Sequence, residues 1–164
     1  MNIPTLEQIR AMEEKIAAPG TPMQASIVGT LGITFLPAEL EGADANLVVR
    51  ATMPCDERTC QPFGYLSGGA SLALAETLAG YGSMLLLAMG ERPVGATMSA
   101  NHVSALKRGK MAQGVATLLH LGRTTHVWNV DIVDAEDGRL VSTARVLNHI
   151  LPGEEPKTFP VRAS

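Results

Sequence analysis

Residues Gln61 to Glu76 read QPFGYLSGGASLALAE and join a loop to the most apolar helix that this sequence predicts. Pro62 and Gly64 indicate the loop, and the periodic leucines and alanines that follow predict a buried helix from about Gly69 to Ala88. Glu76 lies about two turns inside that helix, among small and apolar residues. Because a charge is costly to bury there, its presence favours a functional role.

Two consecutive glycines, Gly68 and Gly69, stand where this helix begins. Without side chains they let a ligand approach the backbone, and the first amides of a helix have no acceptor within the helix. Such amides lie at the positive end of the helix dipole and suit an oxygen that acquires negative charge. A carboxylate nearby is a candidate base or nucleophile, which points to Glu76. The alternative is a glutamate that simply points to solvent, and its small, apolar neighbours argue against this.

Outside the helix, the sequence alternates apolar and polar residues in the manner of β-strands. Two strands, Gly32–Pro37 and Asn46–Met53, precede the loop. Four more follow the helix and are expected to form an antiparallel meander: Val94–Ser104, Met111–Leu121, Thr125–Asp134 and Leu140–Ile150. A helix among about six antiparallel strands buries its whole circumference only when the sheet curls around it. The sequence therefore predicts an α+β fold in which an antiparallel sheet wraps one long central helix.

Length and composition predict one folded unit. With 164 residues, 46% of them apolar, the chain can bury one full core, so we expect a single domain over residues 1–164. Residues 1–24 carry an amphipathic pattern that predicts an N-terminal helix, and residues 151–164 lack a pattern and are expected to form a flexible tail. The net charge of −3, without a dense block of Lys and Arg, argues against nucleic acid as a partner.

The N-terminus, one apolar run and two cysteines bear on location and metal content. No charged segment followed by an apolar stretch opens the chain, so we expect a cytoplasmic protein. The run Leu72–Met89 has membrane length, but Glu76 and several glycines interrupt it, and we interpret it as a core helix without membrane contact. Cys55 and Cys60 have no neighbouring histidine to complete a zinc site, so we expect no metal and reduced, inert thiols. A disulfide across their short loop is the alternative.

The run from Gln61 to Thr77 carries a family resemblance. It resembles the hotdog-fold acyl-CoA thioesterases, and within them the branch of the 1,4-dihydroxy-2-naphthoyl-CoA, enterobactin-proofreading and glutamate-type 4-hydroxybenzoyl-CoA thioesterases. That branch has Gln-Pro-Phe-Gly, then typically Leu-His-Gly-Gly-Ala-Ser, then a helix with Ala-Glu-Thr or Ala-Glu-Ser. The likeness extends from roughly Leu31 to Leu147.

The resemblance implies a catalytic role for three residues. In the family, the glycine amide that corresponds to Gly68 binds the thioester oxygen, and the helix carboxylate, here Glu76, attacks the thioester or activates water. The family glutamine, here Gln61, orients the carbonyl or the water from across a dimer interface. The resemblance therefore also implies a homodimer whose two sheets join edge to edge, often paired into a tetramer.

Four further residues are expected to contact substrate. His102 aligns with a family histidine near the acyl or pantetheine channel, and a hydrogen-bonded residue of the sheet is the alternative. Arg123 is a candidate for the phosphates of coenzyme A. Phe63 is one of the few aromatic residues, and these cluster near the motif. Their presence there favours a substrate with an aromatic or medium-sized acyl group. Thr77 is adjacent to Glu76 but faces roughly 100° further around the helix.

Two residues depart from the family pattern. Ser67 stands where the family usually has a histidine, so that a shorter donor replaces the imidazole, and we expect Ser67 to act in catalysis as a weakened auxiliary donor. Gly80, one turn after Glu76, stands where relatives often place a serine or threonine that holds the water.

The sequence thus predicts an acyl-CoA thioesterase that hydrolyses aryl or medium-chain thioesters to the free acid and CoA. No cofactor is expected, because coenzyme A is part of the substrate. The two departures motivate an alternative, a non-catalytic acyl-CoA or acyl-carrier binding module that keeps the fold. A hotdog hydratase or dehydratase fits less well, since it would require a histidine paired with a carboxylate in the site.

Overall fold

The structure, a computed structural model, describes residues 3–18, 22–88 and 90–153. One short helical turn, Pro22–Ala25, accompanies three α-helices and six strands. The helices are α1 (Leu6–Ala17), α2 (Ile27–Leu31) and α3 (Gly68–Met84). The strands are β1 (Thr34–Glu41), β2 (Asn46–Pro54), β3 (Arg92–His102), β4 (Met111–Leu121), β5 (Thr125–Asp134) and β6 (Leu140–Leu151). The predicted arrangement of one long helix and six strands is confirmed.

The six strands form one antiparallel sheet in the order β1-β2-β4-β5-β6-β3. The predicted four-strand meander is therefore wrong at its first strand, because β3 pairs with β6 instead of β4. The connection over residues 103–110 is longer than a usual hairpin loop and carries the chain across the sheet. As a result, β3 is an edge strand, and nearly all of its residues are exposed in the described chain.

Helix α3 packs closely on the sheet through small residues and a buried polar network. A Cβ on Gly82 would lie 2.5 Å from the nearest indole carbon of Trp128, so the helix approaches this ring at van der Waals distance. The indole N–H donates to the hydroxyl of Ser83 at 2.9 Å, and the Asn148 amide donates to the Ala79 carbonyl at 3.0 Å. These contacts fix the C-terminal half of α3 and leave its N-terminus at the edge of the sheet, where the predicted site residues lie.

The N-terminal helix predicted within residues 1–24 is present as α1. Thr5 and Gln8 form a capping box, in which each side chain accepts a hydrogen bond from the other residue's amide, at 3.3 and 2.9 Å. Ile9 is fully buried. The Glu13 carboxylate accepts from the Ala38 amide at 2.8 Å, where β1 has a register shift, and so attaches α1 to this outer strand.

Three other expectations about the chain's organisation have different outcomes. The sequence pattern missed α2, which Ser26 caps through its hydroxyl and which ends at Gly32 in the left-handed region, with φ of +68°. The start expected for the flexible tail is wrong at residue 151, because Leu151 is the last residue of β6. Residues 154–164 lie outside the described ranges, so the tail itself stays a prediction. Across those ranges, we find no helix whose length and apolar character would let it span a membrane.

Candidate active site

The N-terminus of α3 presents unpaired amides at the edge of the sheet. Ser67 is the N-cap residue, in extended conformation, and its side chain makes no capping hydrogen bond within the described chain. Its own amide donates to the Thr59 carbonyl at 2.8 Å, and its carbonyl accepts from Ser71 at 3.1 Å. Gly68 and Gly69 follow Ser67 directly and form the first turn of the helix. The amides of this turn have no acceptor within the helix.

Three of the residues predicted for the site, Gln61, Gly68 and His102, line one cavity of about 400 Å³. The imidazole of His102 packs directly on Gly68, since its Nε2 lies 2.7 Å from the position that a Cβ on this glycine would take. A larger residue at this position would therefore displace the ring. The cavity thus combines an unpaired helix amide, an imidazole and a carboxamide.

A tight loop holds Gln61 at the mouth of this cavity. The Gln61 amide donates to the Tyr65 carbonyl at 2.8 Å, and the Gly64 amide donates to the Gln61 carbonyl at 3.0 Å. Gly64 has a φ of +79°, which favours glycine. The loop is tied to the connection between β3 and β4 by hydrogen bonds from Leu66 to Leu106 and from Arg108 to Gly64. The exposed Gln61 side chain is therefore carried by an ordered loop.

Glu76 lies away from that cavity in the same chain. Its carboxylate reaches over the edge strand, where one oxygen occupies the space that a Cβ on Gly95 would need. It lines a separate small cavity of about 90 Å³ together with Gly95, Met98 and Val146. The expectation that the Glu76 carboxylate is buried is wrong for the single chain. Its side chain extends from α3 over Gly95 of the exposed strand β3 and is itself exposed.

Thr77 and Gly80 face a third cavity of about 400 Å³, on the side of α3 turned toward the N-terminal segment. Phe35 and Tyr81 also line it, and their rings stack with centroids 4.0 Å apart. A Cβ on Gly80 would meet no described atom within 4 Å, so the glycine leaves open space one turn after Glu76. Sequence reasoning missed Phe35, because β1 is distant from the motif along the chain.

Phe63 and Arg123 are not brought into the cavity that Gln61 lines. Phe63 is 82% exposed at the tip of its loop. Arg123 is exposed between β4 and β5, beside Thr124, whose carbonyl accepts from Ile150. This is the opposite end of β6 from the residues that pair with His102. Their roles in substrate binding stay predictions.

Cys55 and Cys60 form no disulfide, and their sulfurs share a hydrogen bond at 3.4 Å. Burial, reinforced by the hydrogen bond with Cys60, raises the pKa of the Cys55 thiol to about 12. Cys55 is therefore protonated at neutral pH and unsuited to act as a nucleophile. In the described part of the chain, no three His, Cys, Asp or Glu side chains come together as metal ligands.

Comparison with known proteins identifies the family. A sequence profile of the thioesterase superfamily matches residues 63–141. The 1,4-dihydroxy-2-naphthoyl-CoA hydrolase of Escherichia coli K12 is 40% identical over 147 residues, which cover 90% of this chain and 95% of that protein. The proofreading thioesterase EntH of Cronobacter turicensis is 42% identical over 129 residues, which cover 79% of this chain and 91% of that protein.

The same relationship is visible in three dimensions. The crystal structure of a thioesterase from Haemophilus influenzae superposes with a TM-score of 0.71 at 36% identity, covering 82% of this chain and 88% of the other. The prediction of a hotdog-fold thioesterase is thereby confirmed. With close relatives along most of its length and their fold, this chain belongs to the thioesterase superfamily and is a thioester hydrolase.

Proposed function

We propose that this thioester hydrolase cleaves acyl-CoA, with an aryl or medium-chain acyl group, and that cleavage depends on the carboxylate of Glu76. The observation that carries the proposal is the cavity in which Gln61 and His102 surround the unpaired amide of Gly68. A relative that shares 95% of its length with this chain is named for an acyl-CoA substrate. The reaction needs only water and the substrate, so no cofactor enters the proposal.

In the proposed mechanism, the thioester oxygen accepts a hydrogen bond from the Gly68 amide. The positive end of the α3 dipole adds to this, and one preorganised donor of this kind contributes about 3 kcal/mol to the transition state. Glu76 either removes a proton from the attacking water or attacks the carbonyl carbon itself, while Gln61 orients the water or the carbonyl. Collapse of the tetrahedral intermediate breaks the C–S bond, and the CoA thiolate leaves and takes up a proton released by water. When Glu76 is the nucleophile, this step leaves a mixed anhydride on Glu76, which a water molecule then hydrolyses to the free acid and the regenerated carboxylate.

Glu76 reaches this cavity if two chains pair through β3. The outer edge of β3 has no partner strand in the described sheet, and its side chains are exposed. Antiparallel pairing of two β3 strands, centred between Met98 and Ser99, would set Gly95 of one chain opposite His102 of the other. Since Glu76 lies against Gly95, it would then complete the partner's cavity. We therefore propose a homodimer, with a tetramer as a further assembly, in the cytoplasm.

The dimer predicts a specific effect of charge on β3. Met98→Lys places two lysines near the two-fold axis, where like charges and a charged edge oppose strand pairing. We expect the dimer dissociation constant to rise by at least about tenfold, or roughly 1.4 kcal/mol, and activity to fall in parallel at low protein concentration. Analytical ultracentrifugation measures the first effect and thiol release the second.

Leu119→Lys is the matched control, since Leu119 is also exposed but lies on β4, two strands inside the sheet. Its dimer should match the native one. An unchanged dimer in Met98→Lys would show that β3 is not the interface.

Substrate class is tested by thiol release from a panel of benzoyl, hydroxybenzoyl, octanoyl and acetyl thioesters of CoA. We expect the aryl and medium-chain members to be hydrolysed with the highest kcat/KM and acetyl-CoA with the lowest. Tight binding of the panel without thiol release would instead support the binding module, which the open space at Gly80 motivates. Hydrolysis of only acetyl-CoA would contradict the proposed acyl class.

A further inference from the structure

We infer that Cys55 and Cys60 are a modification site, at which hydrogen peroxide closes a reversible disulfide that displaces Gln61 and lowers thioester hydrolysis. The inference rests on the proposed function and adds regulation to the same site. Its starting point is the contact between the two sulfurs, which share a hydrogen bond at 3.4 Å. The sequence contains no other cysteine, so each thiol has a single possible partner within the chain.

The two thiols are close enough to react and are not equally accessible. A disulfide bond is about 2.05 Å long, so the sulfurs need to approach each other by about 1.4 Å. Cys55 is buried, its amide donates to the Lys110 carbonyl at 2.9 Å, and its carbonyl accepts from the Gly109 amide at 2.8 Å. Cys60 is only partly buried. Cys60 is therefore the thiol that a small oxidant reaches first.

Closure of the disulfide acts on the site through the residues that flank Cys60. Thr59, just before it, is buried, and its carbonyl accepts from the Ser67 amide at 2.8 Å, where α3 begins. Gln61, just after it, lines the proposed active-site cavity. Because its backbone bonds hold Cys55, the movement falls mainly on Cys60 and these neighbours. A displacement of about 1 Å in a positioning group is enough to lower a rate by about 10²-fold.

The modification consumes one molecule of hydrogen peroxide. The Cys60 sulfur, as its thiolate, attacks one peroxide oxygen, the O–O bond breaks, and the hydroxide that leaves takes up the proton lost from Cys60 to form water. The resulting sulfenic acid condenses with a thiol to a disulfide. In this step the Cys55 sulfur bonds to the Cys60 sulfur, the S–O bond breaks, and the hydroxyl leaves with the Cys55 proton as a second water. Two thiols are thereby oxidised and the peroxide is reduced.

The raised pKa of the Cys55 thiol is compatible with its part in this second step. Burial and the neighbouring Cys60 keep Cys55 protonated, so it does not react with oxidants or substrates from solution. The sulfenic sulfur of Cys60 would instead lie in contact with the Cys55 sulfur, and such proximity replaces a collision between two molecules.

Mass spectrometry and kinetics on the full chain test the inference together. After peroxide treatment, we expect the intact mass of the single chain to fall by about 2 Da, the two hydrogens lost in a disulfide. The kcat for acyl-CoA should fall by at least about tenfold, and dithiothreitol should restore both values. The rate is followed by the absorbance of the thioester, because a thiol-reactive dye would also respond to the reductant. A disulfide with native kcat, or oxidation without a disulfide, overturns the inference.

Cys60→Ser is the matched control, since serine keeps a hydrogen-bonding group beside Cys55 but forms no disulfide. It should show the native kcat before and after peroxide. An equal loss of activity in this variant would place the damage elsewhere, for example at the eight methionines, and would overturn the inference.

Cys55→Ala identifies the thiol that is oxidised first. In this variant Cys60 should stop at the sulfenic acid and be labelled by dimedone, whereas Cys60→Ser should remain unlabelled. Labelling of Cys60→Ser instead would overturn the assignment of Cys60 as the first thiol attacked.

Failure of the proposed function has a separate signature. If the reduced native chain hydrolyses no member of the thioester panel, hydrolysis of acyl-CoA is wrong, whereas disulfide formation is still measured by mass. The inference is then decided by binding of benzoyl-CoA to the reduced and oxidised chains. At least about fivefold weaker binding to the oxidised chain, the effect of one displaced hydrogen bond, supports it. Equal binding, or no disulfide, overturns it.

Discussion

Glu76→Gln should lower kcat for acyl-CoA hydrolysis by about 10³-fold, the middle of the range for loss of a general base. The amide has nearly the same shape as the carboxylate but neither accepts a proton from water nor attacks a carbonyl. Because the side chain is exposed in the single chain, the free energy of unfolding should change by less than about 0.5 kcal/mol. Thiol release and denaturant unfolding measure the two effects, and hydrolysis at the native rate would remove Glu76 from the mechanism.

Mixing two inactive variants tests whether Glu76 acts across the proposed dimer. Gly68→Val should also be inactive, because its side chain would occupy the place of the His102 ring. In a mixed dimer, one cavity combines the native Gly68 of one chain with the native Glu76 of the other. Random mixing makes half of the dimers mixed, each with one working site of two, so about a quarter of native activity should return. No recovery after subunit exchange would show that both residues act within one chain.

Gly82→Ala should destabilise the fold by about 2 kcal/mol, within the range of overpacked cores. The new methyl group would meet three carbons of the Trp128 ring at 2.5 to 3.0 Å. The ring cannot retreat easily, because it is fully buried and its N–H is held by Ser83. Denaturant unfolding monitored by the fluorescence of this single tryptophan gives the free energy of unfolding.

Gly80→Ala is the matched control on the same helix. Its methyl group would enter open space, since no described atom lies within 4 Å of the Cβ position. Replacing a glycine inside a helix by alanine then stabilises the protein by up to about 1 kcal/mol. The two substitutions should therefore have opposite signs. Equal stabilisation by both would contradict the close packing of α3 on Trp128.

The parts of the site that could be predicted from the sequence are local. Gln61 and Gly68 lie within one loop-to-helix motif, so their neighbourhood follows from the start of α3. The surroundings of Glu76 could not be predicted, because they depend on Gly95, a residue of a strand paired at the far edge of the sheet. The wrong prediction of a four-strand meander has the same cause. Alternation of apolar and polar residues predicts that a segment is a strand but does not predict which strand it pairs with.

The contact of His102 with Gly68 could not be predicted from the sequence pattern either. It arises because β3 crosses to β6 and ends beside the start of α3, an outcome of the whole sheet order. Long-range pairing of this kind has no signature in the spacing of either segment. The departure at Ser67 is visible in the sequence, but the position of the His102 ring beside Gly68 is visible only in three dimensions.

The exposed outer edge of β3 has a consequence for the protein in the cell. In the proposed dimer, a newly made chain would carry this open edge until it meets a second copy, and an open edge is also a template for wrong partners. Encounter of two copies is a second-order event, so output at very low expression should rise with the square of the amount of protein made. Gene dosage, and not only the rate per site, would then set how much thioester is cleared.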